Sequence, residues 1–101
     1  MYYYNVTINL EKHIVNDWLE WMQTKHIPDV MATGHFLSYK IAQLIEPEPE
    51  PNSVTFVIQY ELKSLEDLKI YRETVMPLLQ KEHNERYKNQ FVAFRSVMQV
   101  I

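Results

Sequence analysis

The sequence contains no cysteine, and only one of its 101 residues, Gly34, is a glycine. Without cysteine the chain can form no disulfide, no thiolate metal site and no thiol nucleophile, which suits a reducing cytoplasm. One glycine cannot build a glycine-rich phosphate-binding loop, and no GxSxG nucleophile elbow occurs in the chain. These absences exclude a phosphate-binding loop and leave nucleophilic catalysis with little support.

The sequence also lacks a basic cluster and a long apolar run. Ten Lys and Arg residues stand against 13 Asp and Glu residues, and three of the acids lie together in the segment EPEPEPNS, residues 46–53. The rest of the chain is electrically balanced, so we expect no nucleic-acid partner. The start, MYYYNVTINL, has no positively charged region and no long apolar stretch, so we expect no signal peptide and no membrane span. A cytoplasmic protein is therefore expected.

Apolar and aromatic residues are plentiful. Hydrophobic residues make up 47% of the chain and aromatic residues 13%, which is enough for a packed core and unlike the composition of disorder. The length is that of one domain, and the sequence has no internal repeat. We therefore expect a single globular domain that spans residues 1–101.

The first third of the chain switches from one hydrophobic period to another. Residues 2–10 alternate apolar and polar side chains, as a strand with one covered face does. From about Glu11 the apolar residues recur every three or four positions, which predicts a helix. Because Pro28 has no N–H, we expect this helix to end or kink near His26. Gly34 is expected to close the next turn in a left-handed conformation.

The rest of the chain predicts two strands, a long helix and a last strand. Ser64, followed three residues later by Asp67, is typical of a helix N-cap, and Pro77 is expected to bend the helix that follows. The segment 46–53 is expected to be an extended, solvated hairpin connection, because alternating prolines prevent both strand and helix. The predicted elements are strands over 36–45, 54–62 and 90–101 and a helix that runs from Leu65 to Tyr87.

The resulting order of elements is βαββαβ, which is the ferredoxin-like arrangement of the α+β class. Right-handed crossovers place both helices on one face of a four-stranded antiparallel sheet with the strand order 4-1-3-2. The other face of the sheet stays uncovered. A fold of this kind has to protect that face from water in some way.

The last strand is apolar on both of its faces, which is unusual for the edge of a sheet. Only Arg95 offers the charge that normally blunts such an edge. We expect Phe91 and Val97 on the uncovered face and a homodimer that forms through it, because burying a Phe or Val side chain stabilises by about 1.5–3 kcal/mol. The alternative is that these two side chains are simply exposed, as many apolar residues are.

Several short motifs together resemble a known family: YNVT, WLEWM leading into HIPDV, TGHF, SLEDL and QFVAFRS. In this order and spacing they are similar to an uncharacterised bacterial family, a domain of unknown function of about this length. That family resembles the dimeric α/β barrel proteins, in which two ferredoxin-like sheets pack face to face. The resemblance implies the fold derived above and no particular activity. The wider group includes cofactor-independent monooxygenases, haem-degrading enzymes, small isomerases and members without chemistry.

The histidines are the main candidates for chemistry. His26 is expected at a helix C-terminus, where Asp29 could orient it as a general base. The structural alternative is that His26 binds the last carbonyls of its helix while Asp29 caps the next turn. His83, late in the second helix, is either a base or a boundary residue, and it could converge with His26 on one face of the sheet. Their spacing matches no metal motif, so we expect no metal ion and no cofactor.

A second set of candidates could line a cavity. Polar residues on the strands could do so, or they could pair across a dimer, and the aromatic residues could form a pocket for a flat ligand or simply belong to the core. The polar candidates are Asn5, Thr7, Gln59 and Arg95, and the aromatic candidates are Tyr4, Trp18, Trp21, Tyr39, Tyr60 and Phe94.

Three functions remain open from the sequence. The first is a homodimeric barrel that binds an apolar or aromatic small molecule, or a partner protein, without catalysis. The second is a cofactor-independent monooxygenase or isomerase with a histidine base, which requires an open cavity that reaches an imidazole. The third is a purely structural interaction module.

Overall fold

The computed structural model describes residues 1–48 and 50–101. Four antiparallel strands form one sheet in the order β2-β3-β1-β4, which is the predicted order read from the opposite edge. The ferredoxin-like prediction is confirmed. The strands are β1 (Tyr2–Glu11), β2 (Ser38–Gln43), β3 (Ser53–Leu62) and β4 (Phe91–Gln99), and the helices are α1 (Val15–Trp21), α2 (Ile27–Ala32), α3 (Leu65–Thr74) and α4 (Met76–Arg86).

The alternation in β1 determines which residues face the helices. Tyr4, Ile8 and Leu10 are buried beneath them, and Leu10 has no exposed surface. Since paired residues of neighbouring strands share a face, the register places Ile58 of β3 and Arg95 of β4 on this side, in one row with Val6. The core therefore lies between the sheet and one layer of helices.

The first helix passes Pro28 rather than ending before it. A short 3-10 turn over Lys12–Ile14 leads into α1, and a π-helical turn over Met22–His26 joins α1 to α2. A proline would clash with the carbonyl four residues earlier in a regular helix, and the wider π turn instead lets the Ile27 N–H bond to the Met22 carbonyl. The expectation that His26 lies at a helix C-terminus is therefore wrong.

The predicted caps and breaks occur where local chemistry demands them. The Ser64 hydroxyl accepts a hydrogen bond from the Asp67 N–H at 3.2 Å, which caps α3. The predicted long helix is interrupted at Val75, two residues before Pro77, so that α3 and α4 are separate. Gly34 has a φ of +80°, which confirms the left-handed turn after α2.

The predicted faces of β4 are wrong. Phe91 and Ala93 pack against the core, while Val92 and Phe94 lie on the uncovered side and are 69% and 63% exposed. The sequence did not reveal the parity, because both faces of this strand are apolar and alternation gives no signal. Val97 also shares the helix-covered face, since it pairs with Tyr4, although it is 40% exposed at the sheet edge.

The proline-rich connection follows a shorter β2 than predicted, since the strand spans six residues rather than the expected ten. The predicted extended course of residues 46–53 includes Pro49, which lies outside the described residues. Glu46, Glu48 and Glu50 are all exposed. No helix in the described part of the chain is long and apolar enough to cross a membrane.

Candidate functional site

A cavity lies between the helices and the sheet. Side chains from β1, β3, β4 and all four α-helices contribute to its wall, and the inner surface is mainly aromatic and aliphatic. The centres of water-sized molecules can occupy about 40 Å³ of it. Because one water needs about 10–15 Å³ by this measure, the cavity in this form has room for about three or four waters.

Two histidines from different helices meet at this cavity. The rings of His26 and His83 are 5.7 Å apart between centroids and are arranged edge to face. The Trp18 indole N–H donates to His83 Nε2 at 2.9 Å, so the proton of the neutral His83 ring is on Nδ1. His26 Nδ1 is buried and has no hydrogen-bond partner among the described residues. The protein therefore leaves the hydrogen-bonding capacity of this nitrogen unused, although the His26 side chain lines the cavity.

The π turn is what aims His26 inward. It adds one residue to the turn that joins α1 and α2, which changes the side-chain direction from that point on. Met22 at its start is 2% exposed and lines the cavity together with His26. Such turns often occur at functional sites.

Burial keeps both rings neutral. Desolvation lowers the pKa of His26 from 6.5 to about 4; the nearby charge of Asp29 opposes this shift, and the positive charges of Lys25 and Arg95 favour it. Desolvation likewise lowers the pKa of His83 to about 4, helped by the proximity of His26. Both imidazoles are therefore uncharged at neutral pH; His83 has its Nδ1–H left to donate, whereas His26 Nδ1 can donate or accept according to its tautomer.

Asp29 does not hydrogen-bond to His26 in this structure. Its carboxylate forms an ion pair and a hydrogen bond with Lys25, four residues earlier on the same helical stretch. Lys25 also lies 3.5 Å from a carboxylate oxygen of Glu82 on α4. Asp29 therefore pairs with Lys25 at the surface instead of orienting the His26 ring as a general base, and no other described carboxylate hydrogen-bonds to His26.

One charged side chain stands at the mouth of the cavity. This side chain is Arg95, from β4. In the amide orientation that points the Gln80 oxygen toward the guanidinium, this oxygen accepts from Arg95 Nε at 3.1 Å and from Nη2 at 3.0 Å. The guanidinium of Arg72 lies 5.4 Å from the centre of the Tyr4 ring. Burial raises the pKa of the Tyr4 hydroxyl, and the nearby charges of Arg95 and Arg72 partly offset that rise.

Tyr4, Trp18 and Tyr60 line the cavity together with Arg95, whereas the remaining polar strand candidates do not. Asn5, the fifth ligand-binding candidate, lies on the opposite face of the sheet. Its row contains Gln59 and Ser96, and its Oδ1 is buried without a hydrogen-bond partner among the described residues. The sequence grouped residues from both faces, because polarity alone does not tell which side of a strand a residue occupies.

The other candidates also fall outside the cavity. Thr7 pairs with Phe94 on the uncovered face. Tyr39 is 41% exposed on β2, next to Tyr60 across the strands. Trp21 does not line the cavity; its ring packs against that of His26 at 5.3 Å between centroids with a tilt of 33°, and the guanidinium of Arg86 lies 5.4 Å from the Trp21 ring centre.

Sequence reasoning missed several residues of the wall. Met76 accepts a hydrogen bond from the Tyr4 hydroxyl at 3.6 Å, and Tyr71 packs against the Tyr4 ring. Gln80 and Asn84 contribute the polar part of the wall on either side of His83. Their spacing of four residues on one helix was the available signal, since residues so spaced share a face.

No group of three or more potential metal-ligating side chains occurs among the residues that the structure describes. The site is thus built from two neutral imidazoles, one indole donor, one guanidinium and an aromatic wall. Such a set can bind and orient a flat organic molecule.

The fold and this cavity define the chain as a ferredoxin-like α+β protein. The chain belongs to the family described as domain of unknown function DUF4286, whose sequence profile matches residues 1–101. The predicted resemblance to an uncharacterised family is thereby confirmed. No curated protein matches the sequence of this chain.

Solved structures support the same fold at low sequence identity. A dimeric ferredoxin-like protein from an uncultured marine organism is 9% identical with a TM-score of 0.71, over 100% of this chain and 95% of that chain. An ethyl tert-butyl ether d (EthD) family protein from Bacillus halodurans is 12% identical with a TM-score of 0.69, over 100% of both. An antibiotic biosynthesis monooxygenase is 14% identical with a TM-score of 0.64, over 100% and 99%. At these identities the likeness concerns the fold alone.

Proposed function

We propose that residues 1–101 form one domain that assembles as a homodimer and binds an apolar or aromatic small molecule between its helices and its sheet, without covalent chemistry. The ligand proposal rests on His26, which lines a cavity with an aromatic wall and whose buried Nδ1 has no hydrogen-bond partner within the described residues. A buried nitrogen without a partner costs about 1–3 kcal/mol, and a ligand that hydrogen-bonds to it would remove that cost.

The dimer is supported by the uncovered sheet face. Val92, Phe94 and Met98 are 69%, 63% and 44% exposed there, and each is large enough to gain about 1.5–3 kcal/mol from full burial. Asn5, on the same face, has a buried Oδ1 that lacks a donor within the described residues. A second copy would cover the apolar residues and could supply that donor. The marine protein with a similar fold is described as a dimeric ferredoxin-like protein.

Ligand entry requires the cavity to widen, because its free volume is smaller than an aromatic ring. Met76 sits at the junction of α3 and α4, where Val75 has left regular helix geometry. Its unbranched side chain is half-buried and lines the cavity. Methionine adapts its shape at little cost, so displacement of Met76 is the simplest way to open the site.

The indole resonances of the protein can test ligand binding. The chain has two tryptophans, so a ¹⁵N spectrum contains two indole signals, and a Trp21→Phe variant assigns that of Trp18. Phenol and indole are titrated as neutral aromatic probes. We expect the Trp18 signal to shift and saturate, because its N–H lies at the cavity wall. The matched control is Ala93→Leu, which fills the cavity and should abolish the shift. If neither probe changes the Trp18 signal, the proposal that the cavity binds a small aromatic molecule is refuted.

A histidine-based oxygenase is the competing function, suggested by the fold neighbour described as a monooxygenase. The geometry favours binding instead. A group with a pKa of about 4 is a weak general base at neutral pH, and Asp29 pairs with Lys25 rather than with His26. Oxygen uptake with hydroquinone separates the two functions. We expect no uptake above that of buffer, whereas uptake that a His26→Gln variant abolishes would favour the oxygenase.

A further inference from the structure

Arg95 lines the cavity and Arg72 lies close to it, and among the described residues neither guanidinium forms an ion pair with an acidic side chain. The ion pairs of the described residues use Lys25, Lys81, Arg86 and two surface histidines, and neither Arg95 nor Arg72 takes part in any of them. This is notable in a chain with a formal net charge of −3. Acidic partners are abundant, and yet two neighbouring guanidinium groups have none.

The two arginines converge on one place. Arg95 lines the cavity, and its charge acts on the hydroxyls of Tyr4 and Tyr71 and on both cavity histidines. Arg72 reaches the same Tyr4 ring from α3. A negative group at the entrance of the cavity would therefore be attracted by two positive charges while its apolar part entered the aromatic interior.

The contact between Gln80 and Arg95 shows how such a group would be held. The amide oxygen of Gln80 accepts from two nitrogens of one guanidinium edge. A carboxylate binds the same edge with two oxygens and gains charge assistance, which an amide lacks. In this amide orientation Gln80 occupies the guanidinium edge that a carboxylate, as the stronger acceptor, would take.

We propose that the ligand of this cavity is a flat aromatic acid whose carboxylate binds Arg95, with Arg72 close by, while its ring packs against the aromatic wall that includes Tyr4 and Tyr60 and a polar group reaches His26. The inference rests on the proposed small-molecule function and specifies its chemical class. Among the described residues no Asp or Glu lines the cavity, and a carboxylate there would repel such an acid. The neutral imidazoles accept or donate one hydrogen bond without adding charge deep inside.

The test compares an acid with its neutral isostere. Calorimetric titration at pH 7 with 4-hydroxybenzoate and with 4-hydroxybenzamide measures the preference for the carboxylate, and the Trp18 indole signal reports whether each probe enters the cavity. We expect the acid to bind at least tenfold more tightly than the amide. In Arg95→Gln the preference should fall to about one, while Arg95→Lys should keep part of it.

A matched control separates local from general charge. Lys81→Gln removes one positive charge from an exposed site on α4, next to Gln80 but outside the cavity wall. This variant should keep the full preference for the acid. Equal binding of acid and amide in the cavity, unchanged in Arg95→Gln, would overturn the aromatic-acid inference and leave the proposed binding function intact. Binding of neither probe at the Trp18 signal would instead overturn the proposed function itself.

Discussion

Mild acid should destabilise this protein through the two cavity histidines. Burial lowers the pKa of both rings from 6.5 to about 4. As the pH falls below 6.5, the unfolded chain therefore binds protons that the folded chain cannot. The stability that the neutral rings contribute is complete above pH 6.5 and is lost as the pH falls toward 4.

The size of the effect follows from the shift. Each histidine should lose about 2 kcal/mol of unfolding free energy between pH 7 and pH 5. Two such losses are a large part of the total of about 5–15 kcal/mol that a domain has. Carboxylates contribute little in this interval, because most are still ionised at pH 5.

Urea unfolding, followed by tryptophan fluorescence at constant protein concentration, measures this dependence. Replacing one ring, as in His83→Gln, should remove about half of the loss, and the glutamine can still accept from the Trp18 indole. His13→Gln is the control, because that side chain is 69% exposed and lies outside the cavity. If the double variant His26→Gln/His83→Gln were as sensitive to pH 5 as the wild-type chain, the reasoning would be refuted.

Three further changes test the fold and the assembly. Phe94→Glu places a charge on the uncovered face and should give a monomer in sedimentation equilibrium. The control Leu78→Glu, at a site 68% exposed on α4, should leave the dimer intact. A Phe94→Glu protein that is still dimeric would exclude this interface. Met76→Ala should enlarge the cavity and tighten the binding of phenol severalfold by calorimetry, and weaker binding would show that Met76 does not limit entry. Gly34→Ala should lower the unfolding free energy by about 1 kcal/mol through its φ of +80° alone, since a Cβ there meets no atom within 4 Å; an unchanged thermal midpoint would contradict this.

The sequence predicted the architecture because its strongest signals are local and agree with one another. The alternation in β1 and the Ser64 cap each specify an element by their own chemistry. The order of the elements then leaves few topologies, and the predicted strand order was confirmed. The course of the chain through Pro28 was not predictable in the same way. A proline signals that regular helix cannot continue, but not that a π turn will absorb it.

The site was predicted only in part, because it depends on contacts between distant residues. The sequence left open that His26 and His83 could converge on one side of the sheet, and their rings lie 5.7 Å apart between centroids. The Trp18 hydrogen bond to His83 joins residues 65 positions apart, and no local pattern reports such a contact. The face of Asn5 and the parity of β4 could not be read either, since mixed or uniform polarity hides the period of a strand.

The proposed function requires above all that the cavity admit an aromatic acid. Diffraction from crystals grown with 4-hydroxybenzoate tests this claim most directly. We predict density for the ring inside the cavity, packed against Tyr4 and Tyr60, with the carboxylate within hydrogen-bonding distance of Arg95 and with Met76 moved from its present position. A cavity that remains closed around the same Tyr4–Met76 contact, with the acid bound elsewhere or not at all, would contradict it.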